Sequence, residues 1–287
     1  MSGWLVTGAN GMLGRDLTAL LAGDHEQFTG LGRGDLDITD SSAVAAALDE
    51  HQPSVVVNCA AWTAVDDAEA HERDALRVNG DGPANLAAAC ARAGAAMIQL
   101  STDYVFDGHA SRPYAEDDPA APRTAYGRTK LAGERAVLAA LPATGYVLRT
   151  AWLYGAHGNS FARTMIRLAR KGGPVDVVTD QAGQPTWTAD LAAQIIALAA
   201  SGAPAGIYHG TSSGQTTWFG FAQEIFDLQG AGRDLIRPTT SEKYQRPAPR
   251  PPYSVLGHDA WAKAGIAPIA DWRESLHRAF PAVDATA

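Results

Sequence analysis

TGANGMLG, residues 7–14, follows an apolar tetrapeptide, WLVT, and leads into a helical pattern from Met12 to Leu21. WLVT reads as a short buried strand, so the glycines sit where a first strand turns into a first helix. Gly8 permits the tight turn, Gly11 lets a phosphate approach the backbone, and Gly14 lets helix and strand pack closely. The helix N-terminus then offers free N–H groups and a positive dipole end to a pyrophosphate. The spacing is G-x-x-G-x-x-G, and three glycines carry little weight in a chain that has 29. Their place after the first strand gives them weight as a dinucleotide site.

On either side of this turn the first half alternates. QFTGLG, SVVVNCAA, AAMIQLSTD and GYVLRTAW read as strands. Ser41–Asp49, a helix ending at Ala93, and Tyr126–Ala140 read as helices between them. Apolar strands alternating with helices predict an α/β fold, a doubly wound parallel sheet covered on both faces. After about Tyr154 the pattern loosens into helices at Phe161–Arg170, Asp190–Ala200 and Phe219–Leu228, separated by proline-containing loops. The expected organisation is a dinucleotide-binding domain over residues 1–154 and a smaller, irregular substrate lobe over 155–287, with interleaving of the two left open.

The end of the second strand selects the dinucleotide. An acid there holds the ribose 2′-hydroxyl of NAD, whereas an arginine accepts the 2′-phosphate of NADP. GLGRGDLDI places Arg33 at that point and Asp35 and Asp37 slightly later. Arg33 favours NADPH, with use of NADH left open. Asp37 and Ile38 suit the adenine, the first at its amine and the second against its ring. The third strand ends in Cys59, Ala60 and Ala61, small residues that let a cofactor pass over the strand end.

Thr102 closes the fourth strand, Tyr126 follows 24 residues later at a helix start, and Lys130 lies one turn on. A ketone that receives hydride becomes an alkoxide and needs a proton. Free tyrosine has a pKa of about 10, and a nearby ammonium lowers it. Thr102 can polarise the carbonyl with a second hydrogen bond. Y-x-x-x-K alone is weak, but the glycine turn and a threonine at the preceding strand end make it a catalytic candidate.

TGANGMLG, STDYVFDG and YGRTKLAGE together resemble the extended short-chain dehydrogenase/reductase family, and within it the dTDP-4-dehydrorhamnose reductases. GNSFARTMIRLAR, DQAGQPTW, GIYHGTSSGQTTWFGFA, RPPYSVL and DWRESL carry the narrower likeness over the second half. The resemblance implies a Rossmann-type fold and hydride transfer from NAD(P)H to the C4 ketone of a dTDP-4-keto-6-deoxyhexose. It makes Tyr126 the proton donor, Lys130 its partner and Thr102 the second donor. Asn10, Gly11, Met12, Asp37, Ile38, Ala61, Trp62 and Thr63 match cofactor positions, and Leu13 completes the turn's set. Asp103 and Trp152 match sugar contacts. Gln181, Pro185 and Thr186 lie in a loop that could face the nucleotide or simply turn the chain, and Arg250 could pair with the diphosphate or stay a surface charge. Arg15 stands where some members carry a metal-binding carboxylate at a dimer interface, so no metal is expected and the assembly is left as monomer or homodimer.

The net charge of −8, without a run of like charges, argues against nucleic acid and anionic membranes as partners. Cys59 and Cys90 do not form a disulfide or metal pattern, which points to a reducing compartment. The apolar stretch Leu191–Ala200 is too short to span a bilayer, and the chain shows no leader pattern, so a cytoplasmic protein is expected. Two other readings use the same fold: a nucleotide-sugar epimerase or dehydratase with resident NAD, and a non-catalytic regulatory subunit. No glutamate follows Asp103, which weighs against a dehydratase, and the intact Thr102, Tyr126 and Lys130 weigh against a regulatory role.

Overall fold

The computed structural model describes residues 3–287. The predicted alternation becomes strands β1 (Trp4–Thr7), β2 (Phe28–Leu31), β3 (Val55–Asn58), β4 (Ala96–Thr102) and β5 (Gly145–Thr150). Their connections carry α1 (Met12–Gly23), α2 (Ser41–His51), α3 (Val65–Ala68), α4 (Glu72–Leu76), α5 (Gly82–Ala93) and α6 (Ala125–Ala140). A sixth strand, Gly206–His209, pairs with β5, and the order across the sheet is Gly206–His209, β5, β4, β3, β1, β2, parallel throughout. The chain runs from β1 outward to β2, then returns to the other side of β1 for β3. That reversal opens a crevice at the carboxyl ends of β1 and β3, where open α/β sheets bind ligands.

Alternate residues of the strands feed two cores. Val6, Val57 and Ile98 join Leu17, Leu191 and Ile195 on one face. Leu5, Val56 and Met97 join Val44, Leu48 and Leu86 on the other. Side chains alternate across a strand, so a run that is apolar at every position needs cover on both sides. A buried polar ladder crosses the strands near their carboxyl ends: Thr7 Oγ1 donates to Asn58 Oδ1 at 2.6 Å, and Asn58 Nδ2 to Gln99 Oε1 at 2.8 Å. Each group in the ladder finds a partner, which offsets its desolvation.

In the second half, α7 (Phe161–Lys171) and α9 (Trp218–Leu228) share a separate core with helix Trp272–Asp284, built on Ile166, Phe221, Phe226 and Leu276. Side chains of Ser160 and Thr217 cap α7 and α9. By contrast α8 (Thr188–Ala200) packs Leu191 and Ile195 against α1, and the strand after it is the sixth of the central sheet. The chain therefore returns to its first body after residue 187, and the two bodies interleave. GIYH lies where the strand–helix alternation has loosened and does not read as a strand; its pairing with β5 is what makes it one.

Candidate active site

The turn after β1 forms as its glycines predict. Gly8 has φ +67°, and a Cβ there would fall 2.6 Å from the Ala60 nitrogen, so the first turn and the end of β3 approach as only glycine allows. No side chain caps α1 at Gly11, which leaves its first-turn amides free. Asn10, Met12, Leu13 and Gly14 line a cleft of about 1620 Å³ together with Cys59, Ala60, Ala61, Trp62 and Thr63. Uncapped amides, a glycine-rich turn and small residues opposite them fit a pyrophosphate and its dinucleotide. Burial pushes the Cys59 thiol up to about 12, so it meets a ligand as a small neutral group. No group of three or more His, Cys, Asp or Glu among the described residues is arranged to hold a metal ion.

Arg33, Asp37 and Ile38 line the outer end of the same cleft. Asp37 accepts from the Thr39 amide at 2.9 Å, and hydrogen bonds from Thr39, helped by Arg77 and Arg33, hold its carboxyl below the usual range. Sequence reading missed Asn79. It is buried on a π-helical turn, Arg77–Asp81, accepts from the Trp62 amide at 2.8 Å and donates to the Trp62 carbonyl at 3.1 Å. It also donates to Thr129 Oγ1 at 3.2 Å, which ties the cofactor edge to α6.

Thr102, Tyr126 and Lys130 line the inner end of the cleft. Thr124 caps α6 by accepting from the Gly127 amide at 3.0 Å, which sets where the helix begins and so where Tyr126 stands. A side chain at position 127 would overlap the Tyr104 carbonyl, so glycine lets α6 lie directly on the turn after Thr102. Lys130 Nζ donates to the Leu100 carbonyl at 2.6 Å, beneath β4.

One sequence expectation is reversed here. Tyr126 was expected to have its pKa lowered by Lys130; burial instead pushes the phenol up to about 12, against a smaller lowering by the Thr102 hydroxyl. Burial likewise lowers Lys130 to about 8, opposed chiefly by the Glu134 charge. Removal from water dominates both shifts, and Lys130 is not among the groups that move the phenol. Beneath them lies a buried pair with no sequence signal: Arg149 donates to Glu134 at 3.0 and 2.7 Å, and Ser101 donates to the same carboxylate.

Asp103 is buried beside Thr102, whose hydroxyl donates to its Oδ1 at 3.0 Å, while its Oδ2 has no hydrogen-bond partner among the described residues. Burial raises its pKa to about 6, with the Ser254 and Thr102 hydroxyls pulling the other way. Trp152 also lines the cleft, with an unusual φ of +47°, and stacks on Trp218 at 3.6 Å between ring centroids. Gly183 lies under the Trp152 indole, 2.5 Å from where a Cβ would stand. Gln181 joins this wall, accepting from Trp218 Nε1 at 3.1 Å and donating to Ser241 at 2.7 Å.

Pro185 and Thr186 are not in the cleft. Thr186 is fully buried in a two-residue strand paired with Leu153–Tyr154, and neighbouring Gln184 bonds Leu256 in both directions. This part of DQAGQPTW turns and anchors the chain. Arg250 is in the cleft, yet it is held in a bidentate ion pair by Asp66 of α3, at 2.9 and 2.8 Å. Arg246 joins the same carboxylate at 3.3 Å.

A family model described as RmlD substrate binding domain matches residues 2–284. The dTDP-4-dehydrorhamnose reductase of Streptomyces griseus is 58% identical over 284 residues, 98% of this chain and 93% of that protein. A probable dTDP-4,6-dihydroxy-2-methyloxan-3-one 4-ketoreductase of Streptomyces antibioticus is 56% identical, over 97% of this chain and 94% of its own length. Among solved structures, the dTDP-4-dehydrorhamnose reductase of Bacillus anthracis in complex with NADP superposes with a TM-score of 0.94 at 36% identity, covering 98% of this chain and 99% of that one. The chain belongs to the RmlD substrate binding domain family, beside the dTDP-4-dehydrorhamnose reductases.

Proposed function

We propose that the chain is a reductase of the C4 ketone in a dTDP-4-keto-6-deoxyhexose, using NADPH as its favoured donor. The observation that carries this reading is the meeting, in one cleft, of the uncapped glycine turn with Thr102, Tyr126 and Lys130. The kinship with reductases that act on such sugars supports the substrate class.

When bound, the nicotinamide supplies the hydride. Thr102, whose hydroxyl donates to Asp103, turns it to the ketone oxygen and polarises it. Tyr126 holds its proton throughout the neutral range, because burial keeps its pKa near 12, and gives that proton to the new alkoxide. The phenolate left behind is stabilised by the Lys130 ammonium. Asp103 Oδ2, buried without a partner among the described residues, accepts from a sugar hydroxyl. Trp152, Trp218 and Gln181 form the wall against which the sugar nucleotide lies, and Arg250 reaches its diphosphate by trading part of its hold on Asp66. In this reading the body built on α7 and α9 receives the nucleotide, and the six-stranded body holds the dinucleotide.

The test is NADPH oxidation that depends on a dTDP-4-keto-6-deoxyhexose. Tyr126→Phe is expected to lower kcat by about 10² or more. An unchanged rate in that variant refutes the mechanism.

A further inference from the structure

Four arginines line the cleft. Arg246 and Arg250 are committed to Asp66. Arg33 and Arg77 make no hydrogen bond or ion pair among the described residues, and both stand at the outer end, beside Asp37. Arg33 comes from the loop after β2, Arg77 from the π-helical turn after α4. The turn is anchored by Asn79, buried and bonded to Trp62, while Arg77, two residues earlier, is left exposed to the cleft.

We propose that Arg77 is a specificity-determining residue that joins Arg33 in clamping the 2′-phosphate of NADPH. Three observations support the pair. First, Asp35, the acid best spaced to serve a free ribose 2′-hydroxyl, is turned out of the cleft and accepts from the Gly32 amide at 2.8 Å. Second, the Asp37 carboxylate lies within the field of both arginines, so a single guanidinium there would only be cancelled by it. A second one leaves a phosphate facing a net positive field. Third, the guanidinium fork matches phosphate oxygens, and neither arginine has a hydrogen bond or ion pair among the described residues to give up.

This inference rests on the NADPH reading and adds a residue to it. The experiment is calorimetric titration of the full chain with NADP+ and with NAD+, for the unaltered protein, Arg33→Gln, Arg77→Gln and Arg77→Lys. Arg77→Gln is expected to weaken NADP+ about tenfold or more while NAD+ binding stays within about twofold. Arg77→Lys is expected to lie between Arg77→Gln and the unaltered protein. Retained NAD+ binding in the same titration shows that the variant is folded. Full NADP+ affinity in Arg77→Gln overturns the clamp, and so does an equal loss for both dinucleotides, which would place Arg77 over the shared adenine. An unaltered chain that prefers NAD+ or binds neither overturns the cofactor reading itself, a result distinct from failure of the arginine variant alone.

Discussion

Glu134→Ala is expected to damage the fold and the active site together, and the two effects can be read separately. Glu134 lies one turn beyond Lys130 on α6 and faces Arg149 of β5, with the two side chains 2% and 3% exposed. Its carboxylate accepts two bonds from Arg149 and one from Ser101. Without it the Arg149 guanidinium keeps only a long bond to the Glu116 carbonyl, at 3.4 Å, and the face of Phe106, 4.9 Å away. A buried charge stripped of its partner costs about 3–5 kcal/mol. At about 2–3 °C per kcal/mol for a chain of this size, the melting temperature falls by about 6–15 °C. The second effect is electrostatic. The Glu134 charge opposes the desolvation that lowers Lys130 to about 8, so its loss moves Lys130 lower still. Because the charged lysine stabilises the phenolate, the alkaline fall in kcat is expected to shift to lower pH. Thermal unfolding followed by circular dichroism and a kcat–pH profile measure the two effects. The double variant Glu134→Leu/Arg149→Met removes both charges and is expected to recover most of the stability, short of about 1 kcal/mol for the Ser101 hydroxyl. A single variant that costs less than about 1 kcal/mol, or a double variant no better than the single, refutes the reasoning.

Two further outcomes follow from the same geometry. In the unaltered chain kcat for reduction is expected to fall as pH rises through about 8: Lys130 then loses its charge, while Tyr126, near 12, still carries its proton. A profile flat to pH 10 would separate Lys130 from the chemistry. Gly183→Ala sets a Cβ against the Trp152 indole, 2.5 Å away before any shift, and is expected to raise KM for the sugar nucleotide several-fold with KM for NADPH unchanged. Equal changes in both constants would mean that Trp152 does not contact the sugar nucleotide.

Much of the fold and part of the site are local, and local features can be read from sequence. Gly8 needs its positive φ whatever else the chain does, and the strands of valine and leucine can only be buried ones. Tyr126 and Lys130 share a helical face because four residues make about one turn. The cap at Thr124 and the strand end at Thr102 are likewise short-range.

What the sequence did not disclose depends on groups far apart in the chain. Arg250 had a visible chemistry but not a visible partner, because Asp66 lies 184 residues away. GIYH became a sheet strand only by pairing with β5. Pro185 and Thr186 sat in a promising motif, yet the pairing of 186–187 with 153–154 buried them. Most of all, Y-x-x-x-K implied a phenol with a lowered pKa, and the assembled core raised it. Spacing along a helix sets which charges are neighbours. How strongly they act depends on the water excluded around them, and only the packed tertiary structure determines that.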